Sequence, residues 1–150
     1  MKMVSPAARV PRYATDGSAC IDFSVRDGWH YRICRGAPQM IATGWAVEVP
    51  PGHVMLLFSR SGHGAKHGVR LSNCVGVLDS DYRGEVMGSI TNDSDTPMEL
   101  KAGDNFMQAM VVPLPRLKLM VVTELSVTAR GTGGFGSTDA PKLTPITDEN

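Results

Sequence analysis

No stretch of this 150-residue chain approaches the roughly 18 to 20 consecutive apolar residues that span a bilayer. The opening MKMVSPAARVPRY also lacks an apolar core of signal-peptide length, so a soluble, cytoplasmic protein is expected. Net charge is missing too, because fifteen basic residues balance fifteen acidic ones. Without an overall field there is nothing to draw the molecule to DNA, RNA or an anionic membrane, and any anion it binds must be held by local groups. Cysteine is scarce: Cys20, Cys34 and Cys74 are odd in number, far apart and free of a C-x-x-C. That leaves neither a disulfide framework nor a cysteine zinc site, and the three read as buried small hydrophobes or free thiols. Internal repeats and long amphipathic helical stripes are absent as well.

Short apolar runs between turn signals are what the sequence does contain. IDFSV, HYRIC, IATGWAVEV, HVMLLFS, GVRLS, VGVLD, GEVMGSITN, DNFMQAMVVPL and KLMVVTEL alternate or are rich in β-branched residues, which favours strands. Asp27-Gly28, Pro50-Pro51-Gly52, Asp93-Ser94-Asp95 and Ala102-Gly103-Asp104 supply turn chemistry between them. Around ten short strands in a chain of this length predict one all-β domain, a jelly roll or a sandwich. The division expected is a β domain over 1–127 and a flexible glycine-rich arm over 128–150, with the first dozen residues partly extended.

Three polar segments interrupt this pattern. RGTGGFGSTD, at 130–139, contains G-x-G-x-x-G, but the two prolines of the remaining APKLTPITDEN leave no room for the helix and returning strand of a dinucleotide fold. No Walker pattern occurs anywhere. SRSGHGAKHG, at 59–68, reads as a glycine-rich loop in which Ser61 and the amides beside Gly62 form an anion nest near Arg60. His63 and His67 have the i,i+4 spacing of a zinc pair on a helix, yet a glycine-broken stretch does not fix that face. GVLDSDYRGE, at 76–85, crowds Asp79, Asp81, Tyr82, Arg83 and Glu85 into one strand-turn-strand junction.

In order, YATDGSACIDF, FSRSGHGAKHGVRLSN, GVLDSDYRGEVMGSITN, AGDNFMQAMVVP and RGTGGFGSTD resemble the five ordered motifs of trimeric deoxyuridine triphosphatases. The resemblance spans residues 13 to 139 and implies a jelly-roll subunit, a homotrimer with shared active sites, and a magnesium-bound dUTP substrate split to dUMP and pyrophosphate. It assigns Asp79 to the water that attacks the α-phosphorus, Tyr82 to the deoxyribose, and Asn73 with the backbone around Val77 to uracil. Arg60, Ser61, Gly62 and Gln108 fall to the phosphates, and Asp22 to Mg²⁺ through water. In the tail, Arg130 matches a γ-phosphate contact, Phe135 the ring that stacks on uracil, and Gly136, Ser137 and Thr138 further closing and phosphate contacts. Such an enzyme limits uracil in DNA and supplies dUMP.

The chain departs from the family pattern at Cys20, Ser59, His63, Asn105 and Asp139, none of which is assigned to the water or the uracil. Two alternatives share the fold. A dCTP deaminase needs a general acid/base beside C4 of cytosine, usually a glutamate with a serine-and-arginine cluster, where this chain has Asp79 and Tyr82. The other is a nucleotide-responsive regulatory protein.

Overall fold

Alternation along single strands decides which side chains enter the core. In GEVMGSITN, Val86, Gly88 and Ile90 point inward while Met87 faces out; in VGVL, Gly76 and Leu78 are buried and Val75 and Val77 exposed. The computed structural model describes residues 1–138. Its elements are β1 (Lys2–Met3), β2 (Arg12–Tyr13), β3 (Ile21–Ser24), β4 (His30–Ile33), β5 (Gln39–Ala46), β6 (His53–Ser59), α1 (Ser61–His67), β7 (Val69–Leu71), β8 (Val75–Leu78), β9 (Glu85–Asn92), β10 (Met98–Lys101) and β11 (Asn105–Pro113).

One sheet has the order β1-β5-β9-β7, a second β2-β3-β11-β6-β8, and β10 pairs with β4 in a small third; every pairing within them is antiparallel. Phe23, Phe106, Ile33, Ile41, Leu71, Ile90, Leu100 and Met107 fill the space between the layers, each almost wholly removed from water. The sheets approach closely at Gly88 of β9, where a Cβ would lie 2.9 Å from Met107 Sδ and 3.0 Å from Phe106 Cε2 on β11. This is the all-β jelly roll expected from the sequence.

The structure corrects two local readings. SGHGAKH is a helix: Gly64 N–H donates to Arg60 O, and Gly68, at φ +66°, closes it in the left-handed conformation. The two internal glycines hide it from a pattern reading, since each weakens a helix by about 1 kcal/mol relative to alanine. KLMVVTEL is not a strand. Leu117, Leu119, Met120, Val121, Leu125 and Val127 are exposed along unpaired backbone, because an apolar run becomes a strand only when an edge accepts it. Backbone contacts separate the chain into two units, Met1–Arg116, which holds every strand among the described residues, and Leu117–Asn150. Short strands outside the quoted runs appear at β1, β2 and β10. All three cysteines are free thiols, Cys74 exposed and the others half-buried. Among the described residues no helix is long and apolar enough to cross a membrane.

Candidate active site

The turns that link β7 to β8 and β8 to β9 build one cavity. Cys74 takes a left-handed φ of +62° and Val75 N–H donates to Asn73 O at 2.6 Å, which turns the chain tightly into β8. After β8, Tyr82 N–H donates to Asp79 O at 3.2 Å and closes a turn. Arg83 braces it, donating through one nitrogen to Ser80 O (2.8 Å) and Tyr82 O (2.9 Å) and through the other to Glu48 (3.2 Å). Asn73, Gly76, Val77 and Tyr82, with Met40, Glu85 and Gly88, line a cavity of about 220 Å³. A mainly apolar lining that includes an amide side chain suits a planar base joined to a sugar.

The junction of β6 with α1 helps build a second, more polar pocket. Asp22 on β3, Arg60 and Ser61 at the start of α1, Gly62, Gln108 on β11 and Cys20 line about 330 Å³. The register of β11 puts Gln108 across from Asp22 on one side and Phe58 on the other, and its side-chain amide donates to Ser59 O at 2.9 Å. Asp22 is nearly buried and is held from both sides: Arg60 Nε lies 3.4 Å from Oδ1, and Asn105 Nδ2 donates to Oδ2 at 3.1 Å. The first N–H groups of α1 have no partner within the helix and open beside this pocket. Burial, and then the Asp22 carboxylate, push the Cys20 thiol up, so it adds no negative charge here near neutral pH. Burial, followed by Arg60 and His67, holds His63 below its ordinary value.

Asp79 stands apart from both. It is exposed just beyond β8, in a cavity of about 220 Å³ shared with His53, Asp81 and Arg116. Leu78 pairs with Met55 on β6, whereas Ser61 follows the far end of that strand. At about 3.4 Å per residue, Asp79 and the Arg60–Ser61 group of one chain are on the order of 20 Å apart. Sequence motifs thus brought Asn73, Val77 and Tyr82 together, and Asp22, Arg60, Ser61, Gly62 and Gln108 together, but not the two sets with each other. Arg130, Phe135, Gly136, Ser137 and Thr138 lie exposed in the second unit, where Arg130 Nε donates to Gly133 O at 2.8 Å; Asp139 lies outside the described residues.

Several lining residues escaped the sequence. Met40 reaches the first cavity only because β5 and β9 pair over a long separation, and His53 and Arg116 meet Asp79 for the same kind of reason. No local pattern announces such neighbours. Among the described residues no three of His, Cys, Asp and Glu come together as metal ligands, the His63 and His67 pair included.

Comparison with known proteins identifies the family. The dUTPase family model matches residues 7–139. Deoxyuridine 5'-triphosphate nucleotidohydrolase of Anaeromyxobacter sp. is 40% identical over 133 residues, 89% of each chain, and that of Shewanella oneidensis is 43% identical over 128 residues, 85% of this chain and 84% of its own. Among solved structures, the dUTPase of Staphylococcus bacteriophage 80alpha with dUpNHpp superposes with a TM-score of 0.82 at 26% identity, covering 93% of this chain and 96% of that one. The dUTPase of Streptococcus mutans gives 0.70 at 27% identity over 79% and 95%. The chain is a member of the dUTPase family.

Proposed function

We propose that this chain hydrolyses dUTP to dUMP and pyrophosphate in the cytoplasm, limiting uracil in DNA and supplying dUMP. The observation that carries the reading is the sorting of site residues into a base-and-sugar cavity around Asn73, Val77 and Tyr82 and a phosphate pocket around Arg60, Ser61 and Gln108. Uracil meets the Asn73 and Val77 backbone, and the Tyr82 ring packs against the deoxyribose. Asp79, as a carboxylate, orients a water and accepts its proton as the oxygen attacks the α-phosphorus; pyrophosphate departs toward Arg60, Ser61 and Gln108. Arg130, Phe135, Gly136, Ser137 and Thr138 of the arm, read as 128–150, order against the γ-phosphate and the base when substrate is present, excluding water.

The residues present fit Mg²⁺ carried mainly by substrate phosphates and water. Asp22 is the carboxylate of the phosphate pocket, and its oxygens are already engaged by Arg60 and Asn105, which suits contact through water rather than direct ligation. When bound, the ion neutralises phosphate charge and polarises the α-phosphorus.

The family resemblance implies a homotrimer with shared sites, and the position of Asp79 supports that reading. Asp79 of one chain lies on the order of 20 Å from its own Arg60–Ser61 group, too far for both to act on one triphosphate, which supports sites completed by neighbouring copies. Exposed Val75, Val77 and Met87, together with the apolar run over 117–127, supply surface for such contacts. Pyrophosphate release from dUTP, UTP, dTTP and dCTP, measured side by side with ammonia release from dCTP, tests the reading. Rapid release from dUTP alone is expected; ammonia from dCTP, or no preference for dUTP, overturns it.

A further inference from the structure

We propose that Gly84 is a specificity-determining residue, holding open the space in which the Tyr82 ring lies and so setting the preference for deoxyribose. This rests on the assignment of Tyr82 to the sugar. The Tyr82 ring folds back across Gly84: a Cβ there would lie 2.6 Å from Cζ and 3.1 Å from Cε2, and closer still to the hydroxyl oxygen. The hydroxyl donates to Glu85 O at 3.1 Å. Glu85 is itself anchored, since Oε1 accepts from Gly44 N–H at 2.6 Å and Oε2 lies 3.5 Å from Arg26. The same turn ties Tyr82 N–H to Asp79 O, so ring and base are positioned by one short segment.

A methyl group at 84 cannot coexist with this ring position. Gly84 is exposed on a turn, with the three nearest atoms all on Tyr82, so the ring swings out while the backbone stays. The wall of the sugar cavity then opens, and a 2′-hydroxyl that had no room gains it. Gly84 touches no substrate; it acts through Tyr82.

The test is kcat/KM for dUTP and for UTP in the wild type, Gly84→Ala, Tyr82→Ala and the double variant, with thermal melting to confirm that each folds. Gly84→Ala should narrow the dUTP-over-UTP ratio about tenfold or more, and should add nothing once Tyr82 is alanine. An unchanged ratio in Gly84→Ala, or an equal narrowing with and without the ring, overturns the inference. Tyr82→Phe, which disturbs no backbone, should also narrow the ratio by freeing the ring from Glu85; a wild-type ratio there overturns the tether. Failure of the wild type to cleave dUTP is a separate result and overturns the functional reading instead.

Discussion

At the scale of the residue, Asp79 carries the proposed chemistry and His63 carries a pH dependence. Asp79→Asn keeps the shape of the turn and removes the base, so kcat should fall about 100-fold or more while a non-hydrolysable dUTP analogue still binds, as calorimetry can show. Loss of binding in step with turnover would reassign the residue. His63 is held below its ordinary value of 6.5 first by burial, then by the Arg60 and His67 charges, with Asp104 opposing them. Below about pH 6.5 the unfolded chain therefore binds a proton that the folded chain refuses. Stability present above that pH is lost as pH falls through the folded value. His63→Leu should melt closer to, or above, the wild type at about pH 5.5 than at about pH 8; a pH-independent difference would show that His63 plays no part.

At the scale of the element, the bulge in β5 is the sharpest constraint. The β5–β9 register shifts between Ala42 and Ala46, and Gly44 sits there at φ +79°, its N–H on Glu85 and its carbonyl accepting from Val4 and Ser5. A Cβ at 44 would lie 2.5 Å from Ala8 Cβ and 3.1 Å from Ser5 Cβ. Positive φ and collision together should make Gly44→Ala destabilising by about 2 kcal/mol or more, read as a lower urea midpoint. Because Glu85 also anchors Tyr82, the same variant connects sheet geometry to the nucleoside cavity. The IATGWAVEV run identified a strand here, but not that its central glycine is the bulge that admits the N-terminal segment.

At the scale of the whole molecule, the homotrimer with shared sites proposed above makes a distinctive prediction. Asp79→Asn and Arg60→Ala disable opposite halves, so each alone should be nearly inactive. Mixed trimers contain some sites that carry neither substitution. Dissociating and reassembling the two variants together should restore part of the turnover; no recovery would mean that each chain completes its own site. The tail gives a second test. Removing residues from 129 onward should leave the melting temperature of the β domain nearly unchanged, because Arg130 and Phe135 are exposed. Turnover should drop about 100-fold, since a charge-assisted phosphate contact and a base stack are each worth about 1 to 3 kcal/mol. Full activity in the shortened chain would make the glycines a mere linker.

The sequence by itself determined the strands with strong period-two patterns, the turn chemistry between them, and the grouping of those candidate site residues whose neighbours are close along the chain. Asn73, Val77 and Tyr82 belong to one short segment, 73–82, and Arg60, Ser61 and Gly62 are consecutive, so local order already groups them. The tertiary structure decided what depends on distant partners. It brought Gln108 and Asp22 beside Arg60 through the β3–β11–β6 ladder, made a helix of a glycine-broken segment through its left-handed stop at Gly68, and left KLMVVTEL without an edge to join. It also separated Asp79 from the phosphate pocket by the length of β6. Composition and periodicity record what each residue prefers; pairing over long separations, which loop closure makes costly and only a completed core offsets, decides where those preferences meet.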